Sequence, residues 1–175
     1  MALPKDVLRI RLKNEVEICQ RELRHHLSVS DSSLSSFPIL INVTFLRVPG
    51  PSWEDGKVVH RFVHRMAVLI TDEYPVEKPI VKWRTAIFHP NIMPPEDGGY
   101  VCTKLLENWD FSSTLLAFVR GVEWLLVNPN PSNPFGSDTC TRAAEYFNRN
   151  AYTPPASVDQ SDRRIRIIGE MNGQA

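Results

Sequence analysis

Strand-like segments follow one another between residues 37 and 83, and no helical pattern separates them. The segments are FPILINVTFLRV (37–48), VVHRFVHRMAVLIT (58–71) and KPIVKW (78–83), all rich in β-branched and aromatic residues. The second is long enough for one strand or two, and PGPSWEDGK (49–57) is expected to turn the chain before it. Consecutive strands of this kind pair as an antiparallel meander. The chain is therefore limited to folds built around such a sheet.

Helical patterns lie on both sides of these strands. At the N-terminus Pro4 can open a helix, with one apolar stripe at three- and four-residue steps: Leu8, Leu12, Val16, Cys19, Leu23 and Leu27. Residues 28–36 are polar and predict a loop. Near residue 112 a second helix begins, with Ser112 or Ser113 as its N-cap, and residues 137–150 predict a third. Helices segregated from a four-stranded meander predict an α+β domain.

The longest irregular segment, residues 84–111, separates the strands from the later helices. Loops of this length are usually functional or disordered. This one contains Phe88, Leu105, Leu106 and Trp109, which disorder does not explain. We therefore expect an ordered functional loop.

Composition excludes several classes of function. Lys plus Arg and Asp plus Glu number 20 each, so no global field attracts nucleic acid. No apolar run is long enough for a membrane span or a signal peptide, so we expect a cytoplasmic location and no membrane partner. The three cysteines are widely spaced, which argues against a disulfide framework or a CxxC zinc site, and we expect no metal site.

The three cysteines have different surroundings. Cys19 lies on an apolar helical stripe, and Cys140 shares an apolar helical face with Ala144 and Phe147, so both are expected in the core. Cys102 follows the polar, glycine-rich EDGGY, which predicts exposure. A buried small side chain is the alternative interpretation of Cys102.

The motifs around Cys102 resemble those of the ubiquitin-conjugating enzymes. FHPNI and GGYVCTKLLENW are followed by a helix and then by NPNPSNPF, in the order of that family. Upstream, VPGP and TDEYPVEKPIVKW are similar to its Gly-Pro turn and Tyr-Pro connection. Residues 1–152 are thus expected to form the catalytic domain, and 153–175 a tail with one possible short helix. The extra residues near Pro94–Glu96 depart from the family pattern.

The resemblance implies a mechanism and a site. Cys102 would carry ubiquitin or a ubiquitin-like protein as a thioester, received from an activating enzyme and passed to protein lysines, with no cofactor. Asn91 would stabilise the oxyanion or brace the turn, while His89 and Pro90 would support the site. Asn133 lies where the family often has an acidic residue that receives the lysine, so it is either a catalytic aid or an ordinary turn residue.

The resemblance also implies contact surfaces. Val76, Phe111 and Ser112 lie where the family contacts RING-type ligases, although loop packing is the alternative for each. Arg9, Arg11 and Lys13 are candidates for contact with the activating enzyme, or else a solvated helix face. Three tryptophans are expected in the core: Trp83, Trp109 and Trp124.

Two other functions compete with the conjugating enzyme. A catalytically weak adaptor would bind ubiquitin-pathway proteins only, and such variants typically lose the cysteine. A cysteine hydrolase needs a histidine base, but no histidine follows Cys102. His60 and His64 lie on strand-like sequence, where surface or hydrogen-bonded placement is expected.

Overall fold

The chain folds around one antiparallel sheet. The computed structural model describes residues 2–102 and 107–155. The strands are β1 (His26–Val29), β2 (Ile39–Glu54), β3 (Lys57–Ile70) and β4 (Ile80–Trp83), and each pairs with the next along the chain. The helices are α1 (Lys5–Glu22), α2 (Leu115–Val127) and α3 (Asp138–Arg149). This arrangement confirms the predicted α+β fold.

The core lies between the sheet and the first two helices. α2 packs on β2, and α1 packs on α2. Alternation along β2 turns Ile41, Val43 and Phe45 into this core, which also contains Leu12 of α1 and Val122 of α2. A smaller cluster joins Phe88 of the irregular segment to Ala143 and Phe147 of α3. Through these two clusters the irregular segment packs against both α2 and α3, the helices that follow it.

The first predicted helix was too long, and β1 was missed. α1 ends at Glu22 because Leu23 has an extended backbone conformation. Leu27, assigned to the helical stripe, is instead buried in β1, paired with Val43 of β2. Four residues with one buried leucine are too few to show the alternating pattern of a strand. β1 forms because it pairs with β2.

The turn predicted over residues 49–57 lies within that range but is much shorter. β2 continues to Glu54, with a bulge between Leu46 and Gly50, and Glu54 pairs directly with Lys57. The turn is only Asp55–Gly56, both with positive φ. An Asp-Gly pair is the preferred sequence for a two-residue hairpin turn.

Two predictions for α2 need correction. Its N-cap is Thr114, not Ser112 or Ser113, and the Thr114 hydroxyl accepts a hydrogen bond from Ala117 N at 3.2 Å. Trp124, expected in the core, is 63% exposed, because α2 turns Val122, Leu125 and Leu126 toward the sheet. Trp83 is buried and Trp109 is half-buried against the core, as predicted.

The remaining predictions concern the cysteines, the tail and membranes. Cys19 and Cys140 are fully buried, as expected. The possible tail helix lies outside the described residues. None of the helices within residues 2–102 and 107–155 has the length and apolar character needed to cross a membrane.

Candidate active site around Cys102

His89 fixes the turn that precedes the cysteine. Its imidazole is fully buried, with Nε2 3.0 Å from the carbonyl oxygen of Leu125 in α2. Its Nδ1 accepts a hydrogen bond from Asn91 N at 3.0 Å, so Nε2 carries the proton. Burial lowers the pKa of His89 to about 3. The ring is therefore neutral at physiological pH, with both nitrogens engaged in structural bonds.

Asn91 joins this turn to residues 130–133. The side chain is buried, and its Nδ2 donates to the carbonyl oxygens of Asn130 at 3.1 Å and Asn133 at 3.0 Å. Its Oδ1 accepts from Asn130 N at 2.7 Å. The neighbouring Pro90 carbonyl accepts from Phe135 N, also at 2.7 Å. Four hydrogen bonds thus fix the segment after α2 against the His-Pro-Asn turn.

The same turn fixes the backbone of Cys102. The Asn91 carbonyl accepts from Cys102 N at 2.8 Å, and Ile92 pairs with Val101. Cys102 is half-buried, and its side chain packs on the edge of the main core. The thiol is thus neither enclosed in the interior nor on an unsupported loop.

The extra residues before Cys102 form a short turn that leads into the cysteine hairpin. Pro95–Asp97 form a single 3-10 turn, after which Gly98 and Gly99 adopt positive φ. The Gly99 carbonyl then accepts from Trp83 N at 2.6 Å, at the end of β4. A Cβ on Gly99 would lie 2.5 Å from the Trp83 carbonyl oxygen, so only glycine fits this approach. The cysteine hairpin that follows the insertion is thus attached to the sheet edge through Gly99.

Asn133 takes part in the site through its backbone. Its side chain is exposed, whereas its carbonyl oxygen is the acceptor for Asn91 Nδ2. The structure therefore brings the segment of Asn133 to the turn beneath Cys102 and leaves the Asn133 side chain exposed.

The candidate ligase-contact residues lie on two loops. Val76 and Phe111 are 49% and 54% exposed. Ser112 is exposed, and its backbone N–H and hydroxyl both donate to Asp110 Oδ1. These bonds lower the pKa of the Asp110 carboxyl. An apolar side chain is thus presented on each loop.

The candidate contacts for the activating enzyme differ in the hydrogen bonds that they make within the chain. Arg11 donates to the carbonyl oxygens of Phe111 at 2.9 Å and Ser113 at 2.7 Å, so its guanidinium is already used within the chain. Arg9 donates to the Ser35 carbonyl at 3.1 Å. Lys13 is exposed.

Glu15 is a residue whose role the sequence reasoning missed. It is buried, and its Oε2 accepts from Tyr74 Oη at 2.6 Å and from Leu115 N at 2.8 Å. Its Oε1 accepts from Arg11 Nε at 2.7 Å. Burial, reinforced by the Glu15 carboxylate, raises the pKa of Tyr74. The signal was present, since Glu15 lies three residues after Leu12 and four before Cys19 on the apolar stripe.

Fold and site together define a class: an α+β domain that presents one half-exposed cysteine on a braced loop between sheet and helices. The Ubiquitin-conjugating enzyme family matches residues 11–155. The chain belongs to the ubiquitin-conjugating enzyme family.

Individual relatives agree with this assignment. The chain is 32% identical over 145 residues to the NEDD8-conjugating enzyme UBC12 of Eremothecium gossypii, a match covering 80% of this chain and 72% of the relative. It is 31% identical over 111 residues to the ubiquitin conjugating enzyme E2 B of Dictyostelium discoideum, covering 62% and 69%.

Solved structures show the same fold. S. cerevisiae Ubc12 superposes with a TM-score of 0.57 at 25% identity, covering 78% of this chain and 71% of that one. A Toxoplasma gondii ubiquitin conjugating enzyme E2 domain gives 0.62 at 21% identity, covering 82% and 88%.

Proposed function

We propose that the protein accepts ubiquitin or a ubiquitin-like modifier from an activating enzyme as a thioester on Cys102 and transfers it to protein lysines. The observation that carries this proposal is the half-exposed thiol whose backbone is bonded to the braced turn of Asn91. A RING-type ligase would bind Val76, Phe111 and Ser112. The reaction needs no cofactor, nucleic acid or membrane, and we place it in the cytoplasm.

The proposed chemistry consists of two acyl transfers without a change in oxidation state. The Cys102 thiolate attacks the carbonyl carbon of the thioester on the activating enzyme. A C–S bond to Cys102 forms, the C–S bond to the activating enzyme breaks, and the cysteine thiolate of the activating enzyme leaves. A neutral lysine amine then attacks the Cys102 thioester. The C–N bond forms, the C–S bond breaks, and the proton lost by the amine balances the released thiolate.

The neighbouring residues would assist the second transfer. Asn91 would hold the loop, and release of one of its Nδ2 hydrogen bonds would make it a donor to the oxyanion. The exposed Asn133 amide would hydrogen-bond the incoming lysine, although it offers no charge to attract the ammonium. His89 would not act as a base, because burial lowers its pKa to about 3 and the lone pair on its Nδ1 already accepts from Asn91 N.

The relatives include a NEDD8-conjugating enzyme and a ubiquitin conjugating enzyme, which supports a ubiquitin-like cargo in general. The loading assay that tests the proposal therefore uses ubiquitin and NEDD8 separately, each with ATP and its own activating enzyme.

The decisive experiment is a loading assay read on a non-reducing gel. We expect an adduct that thiol removes, that is absent in Cys102→Ala, and that becomes thiol-resistant in Cys102→Ser, because serine forms an oxyester. Cys140→Ala is the matched control, since that thiol is buried and should not load. A folded protein that gives no adduct with either modifier contradicts the proposal and favours the adaptor. Cleavage of preformed conjugates would instead indicate a hydrolase.

A further inference from the structure

A groove lies between the free end of the β2–β3 hairpin and α3. Its volume is about 210 Å³, and three aromatic side chains line it: Trp53, Phe88 and Tyr146. Two arginines of α3, Arg142 and Arg149, also belong to the lining, whereas Cys102 does not. The groove is therefore a separate feature from the candidate active site.

Trp53 presents an open aromatic surface in this groove. The centre of its ring lies 5.0 Å from that of Phe88 and 5.5 Å from that of Tyr146, so the indole is held in position. It is nevertheless 40% exposed, and among residues 2–102 and 107–155 its Nε1 has no hydrogen-bond acceptor. Tryptophan is highly buried on average in folded proteins. A fixed but uncovered indole with a free donor is an anchor point for another molecule.

The two arginines carry positive charge that the described part of the chain leaves unpaired. They are two helical turns apart, about 10 Å along α3, and therefore lie on one face of the helix. Glu145 lies between them at a spacing that permits an ion pair with either. Across residues 2–102 and 107–155, however, no carboxylate oxygen comes within 4.0 Å of either guanidinium. Both side chains are exposed, so both are available to a partner.

The composition and the size of the groove indicate a protein partner. Tryptophan, tyrosine and arginine contribute most of the binding energy at protein interfaces, and all three line this groove. Its volume lies below the roughly 300–1,000 Å³ of small-molecule sites. The groove therefore accommodates one or two side chains of a partner protein rather than a whole small ligand.

Glu145 argues against a nucleic-acid partner. Aromatic and arginine side chains also bind single-stranded nucleic acid, but the Glu145 carboxylate between the two arginines repels a continuous row of phosphates. The chain as a whole carries no net positive charge. The alternating charges along α3 instead fit two separate carboxylates with an uncharged residue between them.

We propose that this groove binds an extended segment of a partner protein in which an acidic residue lies two positions before and two positions after one apolar residue. The apolar side chain covers Trp53, and each carboxylate pairs with one guanidinium. Positions i, i+2 and i+4 of an extended chain share a face and span about 13 Å. The long side chains of Arg142 and Arg149 bridge this span from their positions two turns apart. The inference does not rest on the proposed function, because Cys102 takes no part in the groove.

The test is a titration of the isotope-labelled full chain with short peptides, followed by nuclear magnetic resonance through the Trp53 indole N–H, which Trp53→Phe identifies. One peptide has a glutamate two positions before and after a single leucine, and the other has glutamine at both places. We expect the glutamate peptide to bind about fivefold more tightly at low salt, a difference typical of two exposed charge pairs. The difference should shrink at 0.5 M salt, because screening weakens exposed charge interactions.

Charge reversal identifies the arginines as the source of the preference. Arg142→Glu combined with Arg149→Glu should remove it and make a peptide with lysines in place of the glutamates the tighter ligand. Both arginines are exposed, so the substitutions do not disturb the core. Arg84→Glu, at an exposed position outside the groove, is the matched control and should keep the wild-type preference.

A double-mutant cycle tests the apolar contact. Alanine in place of the leucine of the glutamate peptide should weaken binding to the wild type about fivefold, because part of a leucine side chain is no longer buried. The same change should have little effect on binding to Trp53→Ala, followed through the backbone N–H of Asn150, which also lines the groove. Equal losses in the two proteins would place the leucine away from Trp53 and overturn the proposed mode of binding.

Three further results would overturn the proposal. The first is a Trp53 resonance that does not move at millimolar peptide, and the second is equal affinity for the glutamate and glutamine peptides. Both need only the wild-type protein, so a variant that fails to fold does not affect them. The third is a single-stranded oligothymidylate that binds more tightly than the glutamate peptide and loses affinity in the double arginine variant, which would identify a nucleic-acid site instead.

Discussion

At the scale of single residues, Asn91 has an observed role in the architecture of the site and a proposed role in catalysis. Its Nδ2 and Oδ1 make three hydrogen bonds to the backbone of Asn130 and Asn133. Those bonds support a bracing role in the resting protein. A contribution to the oxyanion requires one Nδ2 hydrogen to be released, which becomes favourable only when negative charge develops on the thioester oxygen.

Asn91→Ala should therefore affect two measurements differently. The variant loses three bonds to partly buried backbone groups, so unfolding in urea should require about 2 kcal/mol less free energy. If Asn91 also donates to the oxyanion, discharge onto lysine should slow by about 10²-fold while loading slows much less.

The control for Asn91 is Asn133→Ala. The Asn133 side chain is exposed, and only its backbone carbonyl is used by Asn91, so this variant should unfold like the wild type. Equal slowing of loading and discharge in Asn91→Ala would leave only the bracing role. Unchanged stability in Asn91→Ala would contradict the bracing role.

At the scale of secondary-structure elements, the buried Glu15 carboxylate connects three parts of the fold. It joins α1 to Tyr74, which lies just before Val76, and to Leu115 N, the first residue of α2. Arg11 extends the connection to the carbonyl oxygens of Phe111 and Ser113. The helix that carries the candidate contacts for the activating enzyme thus also holds the two loops that carry the ligase-contact candidates.

Glu15→Ala should destabilise the protein through this connection. The Tyr74 hydroxyl, Leu115 N and Arg11 would all lose their shared acceptor, and we expect a loss of about 3 kcal/mol in chemical denaturation. Glu17→Ala, on the exposed face of the same helix, is the matched control and should change stability by less than about 0.5 kcal/mol. Equal effects in the two variants would show that the Glu15 bonds contribute nothing specific.

The elements also show where sequence reasoning succeeds and where it fails. The periodic patterns of β2, β3, α2 and α3 are long enough to be read locally, and those elements were predicted. β1 has four residues and exists because it pairs with β2. The exposure of Trp124 depends on which side of α2 meets the sheet, and that choice is made by tertiary packing rather than by the residue itself.

The candidate site likewise has features that the sequence predicts and features that it does not. The order of His89, Asn91, Cys102 and Asn133 is visible in the sequence. Their mutual contacts are not, because the bond from His89 reaches Leu125, 36 residues away, and those from Asn91 reach residues 130 and 133. The contact of Lys82 with Tyr100 likewise depends on how Gly99 attaches the hairpin to the end of β4.

At the scale of the whole molecule, buried neutral histidines make stability depend on pH. His89 lies between the cysteine turn and α2, and burial lowers its pKa to about 3. Burial also lowers the pKa of His64. Between about pH 6.5 and 3 the unfolded chain binds a proton at His89 that the folded chain does not, so the free energy of unfolding must fall as the pH falls through this range.

His89→Gln isolates the contribution of this one group. Glutamine can donate to the Leu125 carbonyl and accept from Asn91 N, but it does not titrate. Wild-type protein should lose about 2 kcal/mol more than the variant between pH 7.5 and 5, measured by urea unfolding. His64 and the carboxyl groups with lowered pKa, such as Glu123, are present in both proteins, so neither accounts for the difference. Parallel pH profiles would show that the buried imidazole is protonated without loss, which is incompatible with its role as the neutral brace beneath Cys102.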